Sequence, residues 1–172
     1  MYHQSEKFIY AIIIIIIIVI FFVFFTSFNS KSEHTFTNKI TKYTSSLTRE
    51  NEVPPVKTNG IGNGILKLVT KDGSSSLFYE IVAKKLSSKL AMFPGHAHIH
   101  SGKMGVNGPV VKTLVKSKLC KGVHTFIGNW NSNDLEQPLT NDLIDKLNNN
   151  ELYINIHTEN YPSGEIRGQI YT

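Results

Sequence analysis

A single cysteine, Cys120, stands among the 172 residues. No intrachain disulfide can staple this fold, and neither a cysteine-rich zinc site nor a CxxC redox pair is available to it. Stability has to come from a packed core, where a lone thiol ordinarily serves as a small buried residue rather than a nucleophile. There is no Gly-rich phosphate loop opening a helix, no HExxH and no GxSxG elbow, so the common signatures of nucleotide binding, zinc proteolysis and serine hydrolysis are missing. No Asn-x-Ser/Thr acceptor occurs, so glycosylation gives no check on compartment. Clustered basic charge is lacking too: beyond residue 30 the chain carries 17 Lys and Arg against 12 Asp and Glu, and Lys84-Lys85 is the only adjacent basic pair. Nucleic-acid binders concentrate cations on one face or helix, so no nucleic-acid partner is expected. The mild excess suits attraction to an anionic membrane or cell-wall surface.

Charge, proline and glycine are all absent from one long stretch, Phe8 to Phe25, which reads FIYAIIIIIIIVIFFVFF. At about 1.5 Å per residue such a helix just crosses a hydrocarbon core. A cleaved signal peptide usually has an apolar region of about 7 to 15 residues and a small-x-small cleavage motif, which does not follow Phe25. The expectation is a single-pass signal-anchor with residues 1–7 as a short tail, 8–25 in the membrane, 26–47 as a solvated tether rich in Ser, Thr, Asn and Lys, and 48–172 as one domain. The flanking charges do not set orientation. A very short N-terminal tail before a long folded domain favours an extracytoplasmic C-terminal domain, because long domains translocate largely regardless of charge.

Beyond Thr48 the turn signals are dense: Pro54-Pro55, Asp72-Gly73, Pro94-Gly95, Asn107-Gly108-Pro109 and Tyr161-Pro162-Ser163-Gly164. Seven short β-type runs lie between them, at 64–70, 77–84, 96–100, 109–115, 122–130, 152–158 and 165–171. That number and spacing predict an all-β sandwich or barrel. Leu139, Leu143 and Leu147 stand four apart in PLTNDLIDKLNNN and predict one short helical crossover. Trp130 is expected to pack in the core or at a strand edge.

Strand alternation assigns faces. In LYINIHT, Leu152, Ile154 and Ile156 turn inward and Tyr153, Asn155 and His157 outward. In HAHIH, Ala97 and Ile99 turn inward, leaving His96, His98 and His100 together on the outer face. Glu165 and Arg167 share the outer face of EIRGQIY, where they could pair with each other or with a neighbouring strand. Histidines at i and i+2 stand about 6–7 Å apart on a strand, and a third imidazole from an adjacent strand could complete a metal site. His157 is the candidate. Imidazole suits copper and zinc, and no Asp/Glu cluster resembles a calcium or magnesium cage. Spacing alone leaves open a solvated polar face that binds no ion.

Three stretches in order, NEVPPVKTNGIGNG (51–64), HAHIHSGKMGVNGPVV (96–111) and LYINIHTENYPSGEIRGQI (152–170), resemble the CHRD domain, named after chordin and widespread in exported bacterial and archaeal proteins. The resemblance covers Leu47 to Thr172. It implies an immunoglobulin-like Greek-key β-sandwich similar in shape to copper-zinc superoxide dismutase, in which copper sits on histidines from an HxH strand and a later strand. By that likeness His98, His100 and His157 become metal ligands, His96 a fourth, and Arg167 corresponds to a late anion-guiding arginine. The departures count as much: no His and Asp cluster stands between the two histidine strands to hold zinc, and the usual disulfide cannot form. Dismutase activity is therefore not expected.

These readings converge on a membrane-anchored extracytoplasmic module without identified catalytic residues, binding copper, or less readily zinc, through His98, His100, His157 and His96. The alternatives are an adhesive surface module that contacts a protein or polysaccharide without metal, and a copper redox enzyme with an open coordination position.

Overall fold

The computed structural model describes residues 39–92, 95–115 and 117–172. The expected anchor at 8–25 and the first part of the tether lie outside the described residues, among which no helix is long and apolar enough to cross a membrane.

Among the described residues nine strands form one antiparallel sheet: β1 (Lys39–Thr48), β2 (Ile61–Lys71), β3 (Ser74–Lys84), β4 (Ala97–Ser101), β5 (Val110–Thr113), β6 (Lys118–Cys120), β7 (Val123–Asn131), β8 (Leu152–Ile156) and β9 (Ile166–Tyr171). Their spatial order is β5-β4-β8-β9-β1-β2-β3-β7-β6. Ile99 of β4 and Phe126 of β7 lie near opposite ends of that order yet belong to the same buried cluster. The sheet therefore curls over on itself as an all-β half-barrel of sandwich character, with its core inside the curl.

All seven sequence-predicted runs are strands, and two strands are additional. β1 takes in residues 39–47, which were expected to be tether. It pairs residue for residue with β2 from Lys39↔Thr70 to Thr48↔Ile61, and with β9 on its other side. Its alternate residues Tyr43, Ser45 and Leu47 are buried while Lys42, Thr44 and Ser46 face outward, a half-buried pattern disguised by Ser and Thr at half of the positions. The folded unit thus begins at least as early as Lys39 rather than at residue 48. The three-residue β6 forms an edge on β7, and there Cys120 is exposed, not buried.

The predicted crossover is α1 (Asn141–Asn148), which carries the chain from β7 to β8. Thr140 caps it by accepting from the Leu143 N–H. Leu139 and Leu147 are buried, and the Tyr43 hydroxyl donates to Asn148 Oδ1 at 2.6 Å. Trp130 is fully buried, its indole N–H donating to the Gln137 carbonyl.

Central strands β8 and β9 differ from β1, β2 and β3 in one respect that positions the site. The latter bury alternate residues, whereas β8 is buried at all five positions and β9 at the first five. Both faces of β8 and β9 are therefore covered. The inner cover is the core, and the outer one is a roof of two loops, described next.

Candidate functional site

The roof exists because outward polar residues of β8 and β9 bind loop backbone rather than water. Arg167 donates from Nη1 to Asn107 Oδ1 at 2.9 Å, and from Nη2 to the carbonyls of Val106 at 2.7 Å and Lys103 at 3.3 Å. Gln169 Nε2 donates to the Gly102 and Asn150 carbonyls, and the Gly108 N–H donates to the Tyr153 hydroxyl. These bonds press the β4–β5 loop, residues 102–109, onto the sheet. A second piece comes from the segment after β1, where Asn51 Nδ2 donates to the Arg167 carbonyl and the Val53 carbonyl accepts from Asn107 Nδ2.

Arg167 is 1 % exposed, so it does not guide anions. Its guanidinium lies 3.4 Å from the centre of the Tyr153 ring and is committed to the loop. Nor does it pair with Glu165. That buried carboxylate accepts instead from the Thr58, Ser87 and Thr158 hydroxyls and from the Ser87 N–H, tying three separate segments together.

Under this roof β4 and β8 are neighbours, with Ala97 opposite Ile156 and His98 opposite Asn155. Residues of the outward set on each strand therefore come together, and His98, His100 and His157 offer ring nitrogens that all lie within 4.8 Å of one another. His98 and His157 are buried and His100 is half-buried. His157 Nδ1 donates to the Pro162 carbonyl at 3.0 Å, leaving Nε2 as an acceptor that faces His98 Nδ1 at 3.1 Å. His100 Nδ1 donates to the Gly108 carbonyl at 2.9 Å, and its Nε2 is buried without a hydrogen-bond partner among the described residues. Carbonyls thus fix two tautomers and orient two lone pairs, the arrangement that outer partners impose on metal-binding imidazoles. Burial lowers the pKa of His100, against the Gly108 hydrogen bond and with help from the Arg167 charge. Burial also lowers that of His157, with the His100 charge adding to it against the Pro162 hydrogen bond. Neutral imidazole is the form that binds metals.

Gly95 (φ +136°) brings the chain into β4, and a Cβ there would stand 2.7 Å from His98 Nε2. Its backbone conformation and the space beside it both suit glycine.

His96 does not join the other three. It lies in a bend before β4, and its ring stacks on Phe126 of β7 with centroids 6.1 Å apart. Strand alternation does not extend to it, because regular pairing begins at Ala97.

Sequence reasoning assigned no role to Glu52. Its carboxyl is buried beside Asn155, with Oε2 accepting from Asn155 Nδ2 at 3.5 Å, while Glu52 Oε1 and Asn155 Oδ1 have no hydrogen-bond partners. Burial pushes its pKa up to about 7, against the opposing pull of the Arg167 charge and the Asn155 amide. Gly164 (φ +135°) permits this closeness, since a Cβ there would lie within 2.7 Å of both side chains.

A family model for the CHRD domain matches residues 43–170, a span that starts within β1 and ends in β9. No curated protein and no solved structure matches the chain. The span takes in every residue of the buried core and both histidine strands, and the chain belongs to the CHRD domain family.

Proposed function

We propose that this CHRD domain is an extracytoplasmic, membrane-anchored module that binds a transition-metal ion through His98, His100 and His157. The observation that carries the reading is the convergence of three buried or half-buried imidazoles, two of them oriented by backbone carbonyls. Nitrogen ligands around a tetrahedral ion stand about 3.4 Å apart, so modest ring rotations suffice to draw in nitrogens that lie within 4.8 Å of one another. To ligate through Nδ1, His98 would shift its proton to Nε2.

An all-nitrogen set of neutral imidazoles suits copper and zinc, and the general order of divalent affinities puts copper(II) first. The likeness to copper-bearing dismutases points the same way. The anchored, exported setting rests on the uncharged run at 8–25 and on the CHRD family. No turnover is assigned.

Calorimetric titration of a fragment spanning residues 37–172 with copper(II) and zinc(II) tests the proposal. One equivalent should bind copper at sub-micromolar affinity. His157→Ala and His100→Ala should each weaken it by about 10- to 100-fold while near-UV circular dichroism stays native. Weak binding that ignores both substitutions would leave a module that contacts other molecules through its surface alone.

A further inference from the structure

The sheet has a second outer face, distinct from the roofed one and uncovered. Through the middle of β1, β2 and β3, and beside Phe126 and Trp130 of β7, exposed or half-buried outward positions alternate with more deeply buried ones. Such a face on an antiparallel sheet is normally polar. Here it is not. Ile65 pairs across to Glu80, which pairs across to Ile127, and Phe78 lies two residues along β3 from Glu80. These three apolar side chains are 58 %, 65 % and 47 % exposed for Ile65, Ile127 and Phe78 respectively. Scattered exposed aliphatics need no explanation, but a contiguous group on one flat face does.

The charges beside them are mostly of one sign. Lys42, Lys67 and Phe78 form one cross-strand row, and Lys84 projects from the same face of β3, with Glu80 the single acid among them. A second copy packed face to face would set lysine against lysine with too few carboxylates to answer them. An anionic bilayer answers both features, because lysines meet lipid phosphates while apolar side chains enter the headgroup boundary. The sequence supplies the same setting independently: the 18-residue uncharged run ends at Phe25, only 13 residues before β1.

We infer that the β1-β2-β3-β7 face lies against an anionic lipid surface, with Phe78, Ile65 and Ile127 entering the interface and Lys42, Lys67 and Lys84 contacting phosphates. The histidine site is on the roofed face, so this docking does not depend on metal binding.

The test is flotation of the 37–172 fragment, which contains the whole core, with phosphatidylcholine vesicles prepared with and without phosphatidylglycerol. Each lysine near an anionic surface is worth about fivefold in partitioning, so the anionic vesicles should bind at least tenfold more protein. Lys42→Glu/Lys67→Glu should abolish that preference, and Phe78→Ser/Ile127→Ser should cut binding by about tenfold. All four positions are exposed, so thermal melting should be unchanged. Absence of binding to both vesicle types, binding indifferent to either pair of substitutions, or self-association through this face seen by analytical ultracentrifugation would overturn the inference.

Discussion

Replacing Glu52 by glutamine should leave stability unchanged in acid and raise it in base. The carboxyl is buried next to Asn155, and burial lifts its pKa from 4.5 to about 7. Because the folded value is raised, the folded state holds the proton more tightly than the unfolded chain does. Stability from this group is complete below about pH 4.5, declines between about pH 4.5 and 7, and is lost above the folded pKa. A shift of that size corresponds to about 3 kcal/mol. Glutamine keeps the shape and the neutral state at every pH, so Glu52→Gln should exceed the parent by about 2–3 kcal/mol near pH 8.5 and match it below about pH 4. Urea denaturation of both proteins across that range measures the difference. Subtraction matters because His100 and His157 act oppositely: burial lowers both, so their contribution is present above about pH 6.5 and fades as pH falls. The parent should therefore show a maximum between the two limbs, with the basic limb missing in Glu52→Gln. A difference below about 0.5 kcal/mol near pH 8.5, or a variant weaker at every pH, would refute the assignment of a buried proton to Glu52.

Arg167→Leu should destabilise the domain by about 3–5 kcal/mol and speed amide hydrogen exchange across residues 102–109, because three loop acceptors lose their buried donor. Unchanged exchange in that loop would show that the roof is held by other contacts. A chain starting at Thr48 should lack cooperative unfolding, since it omits β1 from between β9 and β2, whereas a chain starting at Thr37 should unfold cooperatively in a calorimeter. Gly95→Val should weaken metal binding at least tenfold by driving a side chain into His98 Nε2, and retention of full affinity would separate this glycine from the site.

Much of the sheet was legible because its strands are short, alternating and bounded by Gly and Pro turns; β3 follows that rule over its whole length and β2 from Gly64 to Leu68. β1 escaped because seven of its ten residues are Ser, Thr or Lys with only Tyr43 and Leu47 as large buried groups, and a buried Ser45 leaves no hydrophobic signal. β6 has three residues, all exposed, and no pattern to read. The facing of His98, His100 and His157 followed from parity, but their enclosure did not, since the roof consists of two loops far apart in sequence that meet through Asn107 and Val53. His96 shows the limit of parity: one residue before the strand begins, its ring turns toward Phe126. Glu52 stood in a stretch that pointed to the family, yet its burial depends on Asn155 and Gly164, about a hundred residues away.

Electron paramagnetic resonance of the 37–172 fragment loaded with one equivalent of copper(II) tests the central claim most directly. Three imidazoles should give resolved nitrogen hyperfine structure, and the spectrum should change in His98→Ala, His100→Ala and His157→Ala but not in His96→Ala, whose ring stacks elsewhere. A spectrum of aqueous or adventitiously bound copper, or one altered only by His96→Ala, would contradict the account.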